Sequence, residues 1–561
     1  MSVANDDQAP RRRLPLAGIA LIAALPMLYM AVHQRIDYDG WWHVFIAREV
    51  PWERFWRDVY HNAHPPIFYL LLRVTAWLGA DRLVYRLLSL ASAVAATYLV
   101  GRIATRAFRT PAVALPCALA FGLAMPTVVM ACAVRSYMLS LALLLAAFRP
   151  YLDLIDPRHG RIAARTRVWF VVALVGAILT HYSAIFFFLA AMALPCLYAT
   201  VDRRYRAWWG KRLRTDWRGA IATIVPIAAV VVAVYVAHIS RFGEPMSHAA
   251  QFYPDQAEVA AGFWRGSVAF LARTVVAELD LFSPLPIAQR SVAARAIVVA
   301  SLAGLAAVLG LALRRRPDWV VASAPLATLA ILATAIIGAS LLGRYPFGGF
   351  LRQQFILFPF VVLTGFALVD EIVARLHRRQ VAVVAVSLAV GVGGLLQWHH
   401  IVLIDDEPSA QEMAEFNHAF GDSGAVYVDQ FSLIPFFANH QRGTWSAQRA
   451  SGEKFFTLPV LEPQRTRLVV RDMTRWACDL SDRRLYRDLR QLIEHSRLPS
   501  IDLFRLRQDS HRLALLSPPE RAQLAESVIW LAGEEDLRVE RLVLDGHNVY
   551  ARLRPDDRTP R

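Results

Sequence analysis

Residues 168–200 form an apolar run of 33 positions with arginine-rich segments on both sides. As one helix it would extend about 50 Å, too far for a single crossing of a hydrocarbon core about 30 Å thick. Before it stand Arg158, Arg161, Arg165 and Arg167; after it come Arg203, Arg204, Arg206, Lys211, Arg212 and Arg214. Short basic loops stay on the cytoplasmic side, so the chain must cross an even number of times between them. Two short helices breaking near His181-Tyr182 satisfy both demands. The same logic splits 111–150 at Arg135. Runs of this kind specify a polytopic α-helical membrane protein.

Composition supports that class and excludes others. The 561 residues are 56% hydrophobic and only 19% charged, which rules out disordered, collagenous and coiled-coil chains. The net charge of +16 comes almost entirely from arginine, the lysines being Lys211 and Lys454 alone. These arginines sit in short loops between apolar spans, the positive-inside pattern, so nucleic acid is not an expected partner. Of the four cysteines, Cys117, Cys132 and Cys196 lie inside apolar spans and Cys478 stands apart. Their spacing predicts neither a disulfide framework nor a zinc site. Arg11–Arg13 precede an apolar run, Leu14–Val32, with no small-residue cleavage site after it. It reads as an uncleaved first span.

Eleven spans are expected, with a cytoplasmic N-terminus. They are 14–32, 83–100, two within 111–150, two within 168–200, 219–238, 292–313, 319–342, 353–372 and 381–398. The stretch Pro65–Gly79 is short, opens with Pro-Pro and carries Arg73 in its middle. It reads as an interfacial helix on the outer surface, which keeps all six arginine clusters inside. A membrane domain then occupies 1–398, with outer loops 33–82 and 239–291. Residues 399–561 form an external α/β domain, with strands expected at 425–428, 468–470 and 528–531 and a helix at 484–495. No Gly-rich phosphate loop follows any of these strands, so no nucleotide site is expected there.

The first outer loop holds the residues suited to chemistry. Asp37 and Asp39 follow the first span directly, in Arg35-Ile-Asp37-Tyr-Asp39-Gly-Trp-Trp-His43. Further on stands His64-Pro65-Pro66-Ile67-Phe68-Tyr69. Partial desolvation at a membrane border raises carboxylate pKa values in general, a condition that favours a general base. The plainer alternative makes both acids solvated loop residues within an aromatic anchoring belt of tryptophans and tyrosines.

Taken together, Asp39, the His64-Pro65-Pro66-Ile67-Phe68-Tyr69 segment and Tyr85-Arg86-Leu87-Leu88-Ser89 leading to Arg102 resemble a known family. They are similar to the integral-membrane glycosyltransferases of the C-type (GT-C) fold. The relevant branch contains protein O-mannosyltransferases and aminoarabinose transferases. The resemblance covers about residues 14–400 and is strongest over 35–110. It implies a base at Asp39, with Asp37 as the alternative. It departs from the family pattern at Gly40, where the family often has glutamate, and at Asn62, which holds an acidic position. A second carboxylate able to hold a metal or orient an acceptor is therefore missing there. No cofactor is expected; a divalent metal is conceivable but not indicated.

The same resemblance draws in other residues. Arg135-Ser136-Tyr137 matches an Arg-x-Tyr element between two spans, although an arginine there also serves by snorkelling to headgroups. Arg344-Tyr345-Pro346 and Arg352-Gln353 match an element near the donor phosphate, with Arg352 aligning best; ordinary loop anchors are the alternative. His181 at another outer turn reads first as a structural histidine. His64, Tyr69 and Tyr137 would orient the loop or line the pocket.

The implied activity is transfer of a monosaccharide from a polyprenyl-phosphate donor by single displacement, with inversion at the anomeric carbon. The acceptor is a lipid, a glycan or a protein of the cell envelope, and the place is the outer face of the inner membrane. Two rivals are a transporter of a lipid-linked substrate and a non-catalytic assembly subunit. A transporter commonly shows repeated halves, and none is evident in the sequence.

Overall fold

A computed structural model describes residues 9–34, 36–49, 52–61, 64–79, 82–160, 162–241, 292–342, 344–345, 347, 351–398, 416, 418, 420, 425–428, 455–462, 465–472, 480–506, 517–545 and 548–556. The expected outer loop 239–291 lies almost wholly outside them. The chain divides into two compact units, residues 1–33 with 51–402 and residues 34–50 with 403–561.

In the first unit the apolar runs are helices. They are α1 (Ala9–His33), α3 (Trp52–His61), α4 (Pro66–Thr75), α5 (Arg82–Ala107), α6 (Ala114–Leu123), α7 (Met125–Cys132), α8 (Tyr137–Ile155) and α9 (Ala164–Ile178). Then follow α10 (Ala184–Val201), α11 (Arg203–Thr215), α12 (Trp217–Ala237), α13 (Val292–Arg314), α14 (Trp319–Leu341), α15 (Phe358–Val373) and α16 (Arg379–Trp398). Among the described residues, eight helices are long and apolar enough to cross a bilayer, nine if the bent pair α6–α7 counts as one span. The other two of the eleven expected spans fall on α9 and α13, and α9 has only 15 residues.

Both expected breaks are present. The first span-length run bends by 53° between α6 and α7 at Ala124, where Pro126 in the next turn cannot donate back to a continuing helix. The chain then opens fully at 133–136 before α8. Open backbone inside a bundle needs donors from elsewhere. Arg86, 1% exposed, supplies them: its Nε donates to the Cys132 carbonyl at 2.7 Å and another guanidinium nitrogen to the Ala31 carbonyl. One turn on, Ser89 Oγ donates to the Ala133 carbonyl at 2.7 Å. The Arg86-Leu87-Leu88-Ser89 segment is thus a clamp on the break. Arg86→Met, apolar and of similar length, leaves two buried carbonyls short of a donor. The expected loss is about 2–4 kcal/mol, read as a lower unfolding temperature in detergent.

Small residues let the central helices approach. A Cβ on Gly101 of α5 would meet Leu16 at 2.5 Å, and one on Gly122 of α6 would meet Ala23 at 2.5 Å. By contrast α12 and α16 bury only 11% of their apolar windows, leaving most of their surface for lipid. At ten residues α4 is about 15 Å long and cannot span. Arg73 in its last turn lies over the ring of Trp52 on α3, 4.2 Å from the centroid, so its charge is held against an aromatic face.

At the arginine-rich end, Asp156 just past α8 takes bonds from both Arg158 and Arg106. Burial alone would raise its pKa, but the Arg158 side-chain and backbone bonds, then Arg106, outweigh it and hold the carboxyl at about 2. A carboxyl held below its ordinary range stabilises the fold above that range. This contribution is therefore lost as pH falls from about 4 to 2. Acid unfolding of Asp156→Asn should show a shallower pH dependence over that window.

The second unit contains a short helix α2 (Tyr38–Val44) and a six-stranded sheet. Its strands are β1 (Ala425–Val428), β2 (Phe455–Glu462), β3 (Arg465–Asp472), β4 (Ile501–Leu506), β5 (Leu537–Asp545) and β6 (Asn548–Pro555), in the order β2-β3-β1-β4-β6-β5. The central β1 runs parallel to β3 and β4, and all four of its residues are buried, as a strand covered on both faces requires. Helix α17 (Arg483–His495) packs Leu485, Leu489, Leu492 and Ile493 into a core with Ile501, Leu503 and Ala551. The expected strand at 528–531 is instead part of helix α18 (Pro518–Gly533). A Ser517–Glu520 capping box with prolines in the first turn starts it, and burial follows a helical period. Val528, Leu531 and Ala532 are inside, whereas Ile529 and Trp530 are exposed.

Candidate active site

Two prolines at the start of α4 cannot donate, so Ile67 offers the first free amide of that helix. It donates to the Leu179 carbonyl at 3.3 Å, tying the His64-Pro65-Pro66 corner to the α9–α10 turn. That turn is built by its own polar groups. Thr180 Oγ1 donates to the Gly176 carbonyl at 2.7 Å, and His181 Nδ1 accepts from the Ser183 amide at 3.2 Å with Ser183 Oγ 2.8 Å away. With Nδ1 accepting, the neutral ring carries its hydrogen on Nε2.

The corner and the turn meet the α7–α8 break. The Tyr137 and His181 ring centroids are 4.5 Å apart, His64 and His181 5.5 Å, and His64 and Tyr137 6.1 Å. Tyr137 also lines a narrow cleft with Ser140, Ser183 and Arg352, walled by Leu141, Leu144, Phe355 and Ile356. Four residues singled out from the sequence, His64, Tyr137, His181 and Arg352, are thereby gathered in one region of the first unit. Arg135 is buried beside Tyr137 in the break. Tyr69 is fully buried next to Phe68, and Arg344 is exposed past the end of α14. Neither appears in the cleft's lining.

One participant was not anticipated. His238, directly after α12, is hydrogen-bonded through Nδ1 to the Tyr182 hydroxyl, and the Tyr60 ring centroid lies 6.1 Å from its own. A histidine placed directly at the end of an apolar span was the available signal.

The two acids belong to the second unit and differ in role. Asp37 is the N-cap of α2, its carboxylate accepting from the Gly40 amide at 2.9 Å. Asp39 lies in the first turn, half-buried, and its carbonyl accepts from Nδ1 of the buried His43 at 2.5 Å. Gly40, a departure from the family pattern, is thus the residue whose amide Asp37 caps. Among the described residues, no group of three or more His, Cys, Asp or Glu side chains is placed to hold a metal ion.

No family model matches the sequence, and no curated protein does. Two solved structures of the aminoarabinose transferase ArnT from Cupriavidus metallidurans are similar to the chain, each at 15% identity. The form bound to undecaprenyl phosphate aligns over 96% of this chain and 97% of its own, with a TM-score of 0.45. The apo form aligns over 95% and 97%, with a TM-score of 0.49.

Proposed function

We propose that the protein is a membrane glycosyltransferase using a polyprenyl-phosphate monosaccharide. The observation that carries the reading is the cleft shared by Arg352 and Tyr137. Arg352 sets a guanidinium beside leucine, isoleucine and phenylalanine side chains, the pairing of charge and apolar surface that a polyprenyl phosphate calls for. A lipid-linked donor is also available at the outer face of a membrane, where a nucleotide sugar is not.

In the proposed reaction Asp39 accepts the proton of the acceptor hydroxyl as its oxygen attacks the anomeric carbon. The bond from that carbon to the phosphate oxygen breaks, the electron pair leaving with polyprenyl phosphate. Arg352, and secondarily Arg135, neutralises the charge that develops there. With no covalent sugar–enzyme intermediate, configuration inverts. His64, His181 and Tyr137 orient the reacting groups. Asp39 is preferred over Asp37 because the Asp37 carboxylate is committed to capping α2. The test is transfer of label from a radiolabelled polyprenyl-phosphate sugar into an envelope extract by the purified protein. Appearance of label in lipid, glycan or protein supports the reading and identifies the acceptor class; no transfer to any fraction opposes it.

The proposed location is the inner membrane, with the N-terminus cytoplasmic and residues 33–82, 239–291 and 399–561 outside. Single cysteines on a cysteine-free background should react with an impermeant reagent at positions 80 and 430 and stay protected at position 315. Labelling of position 80 only from the cytoplasmic side would make α4 a crossing segment and reverse everything after it.

A further inference from the structure

We propose that the arginine-rich end of the bundle holds a second site, which binds the phosphate of an anionic phospholipid. A cavity of about 400 Å³ opens there, lined by Arg109, Arg315, Arg316, Arg375 and Glu371, with Val308, Leu311 and Ala312 of α13 on one side. One lining residue, Arg316, is buried and held in place. Two of its nitrogens grip Asp318 at 2.9 Å each, and one of these also donates to the Ala107 carbonyl at 3.1 Å. Asp370 beneath it accepts the Arg109 and Thr110 amides at 2.7 and 2.8 Å. These two carboxylates are therefore spent on structure.

What faces the cavity is unbalanced. Glu371 is its one acid, and three guanidiniums approach it at 3.5–3.8 Å: Arg316, Arg109 and Arg375. Arg109, Arg315 and Arg375 are all exposed. One carboxylate cannot saturate that many planar donors, whereas a phosphate diester offers a charge and two oxygens matched to a guanidinium fork. The apolar side determines the kind of phosphate. Val308 and Leu311 are 63% and 62% exposed on a helix within the apolar bundle, a surface for an acyl chain running away from the arginines. Charge above and hydrocarbon below describe a phospholipid with an anionic headgroup.

Native mass spectrometry of the purified full-length protein tests this with palmitoyl-oleoyl phosphatidylglycerol and the matching phosphatidylcholine. Phosphatidylglycerol should be retained preferentially, and Arg109→Gln/Arg375→Gln should weaken that retention by roughly 10- to 30-fold, the scale for two basic side chains near an anionic headgroup. Arg109→Lys/Arg375→Lys, keeping charge without the fork, should fall between. An unchanged unfolding temperature shows that the variants fold; if the double variant does not, the single exposed change Arg315→Gln serves instead. Equal retention of the two lipids, or retention unaffected by the substitutions, overturns the proposal. Displacement of the lipid by millimolar inorganic phosphate also overturns it, leaving a site for soluble phosphate.

Discussion

Asp39→Asn is expected to lower sugar transfer by roughly 10²-fold or more, the usual scale for losing a general base. The substitution keeps size and hydrogen-bonding shape and removes only the basic carboxylate. Asp37→Asn should cost little, because asparagine caps a helix nearly as well as aspartate and the bond from the Gly40 amide survives. Asp37→Ala removes that bond, so it should destabilise α2 by about 1 kcal/mol and lower activity only through loop order. The two positions are thus separated by chemistry and not by severity alone. The readout is transfer rate at matched protein levels, with the unfolding temperature as control. Full activity in Asp39→Asn with loss in Asp37→Asn would move the base two residues upstream. Activity retained in the double variant would remove the proposed displacement altogether.

The second large effect is expected at Arg352. Arg352→Ala should lower transfer by about 10²-fold, the range for removing one donor to a developing negative charge. Arg352→Lys should recover part of it, because lysine restores the charge as a point and not as a fork. A phosphate role also predicts weaker binding of polyprenyl phosphate itself, in the absence of any sugar or acceptor. A loop anchor would change neither that affinity nor the difference between the alanine and lysine variants.

The helical framework was legible because long apolar runs and arginine placement answer to the bilayer and not to distant contacts. The breaks near Arg135 and His181 followed from counting crossings alone. Local ambiguity caused the failure at 528–531. Four apolar residues carry no period, and the helix start that decides them lies eleven residues earlier at Ser517-Pro518-Pro519-Glu520. Long-range pairing explains the rest. The carbonyls held by Arg86 lie 46 and 55 residues away, and Arg316 meets Glu371 across 55. Nothing in the local sequence announces such partners. Of the candidate site, His64, Tyr137, His181 and Arg352 came together in the fold, while the contact of His238 with Tyr182 needed the structure.

The central claim is transfer from a polyprenyl-phosphate sugar, and comparative mass spectrometry of envelope lipids and glycans tests it most directly. Cells lacking the gene, and cells carrying Asp39→Asn at normal protein levels, should lose one sugar-modified envelope species and accumulate the polyprenyl-phosphate sugar that feeds it. Envelope glycans and donor levels identical to wild type in both strains would contradict the account.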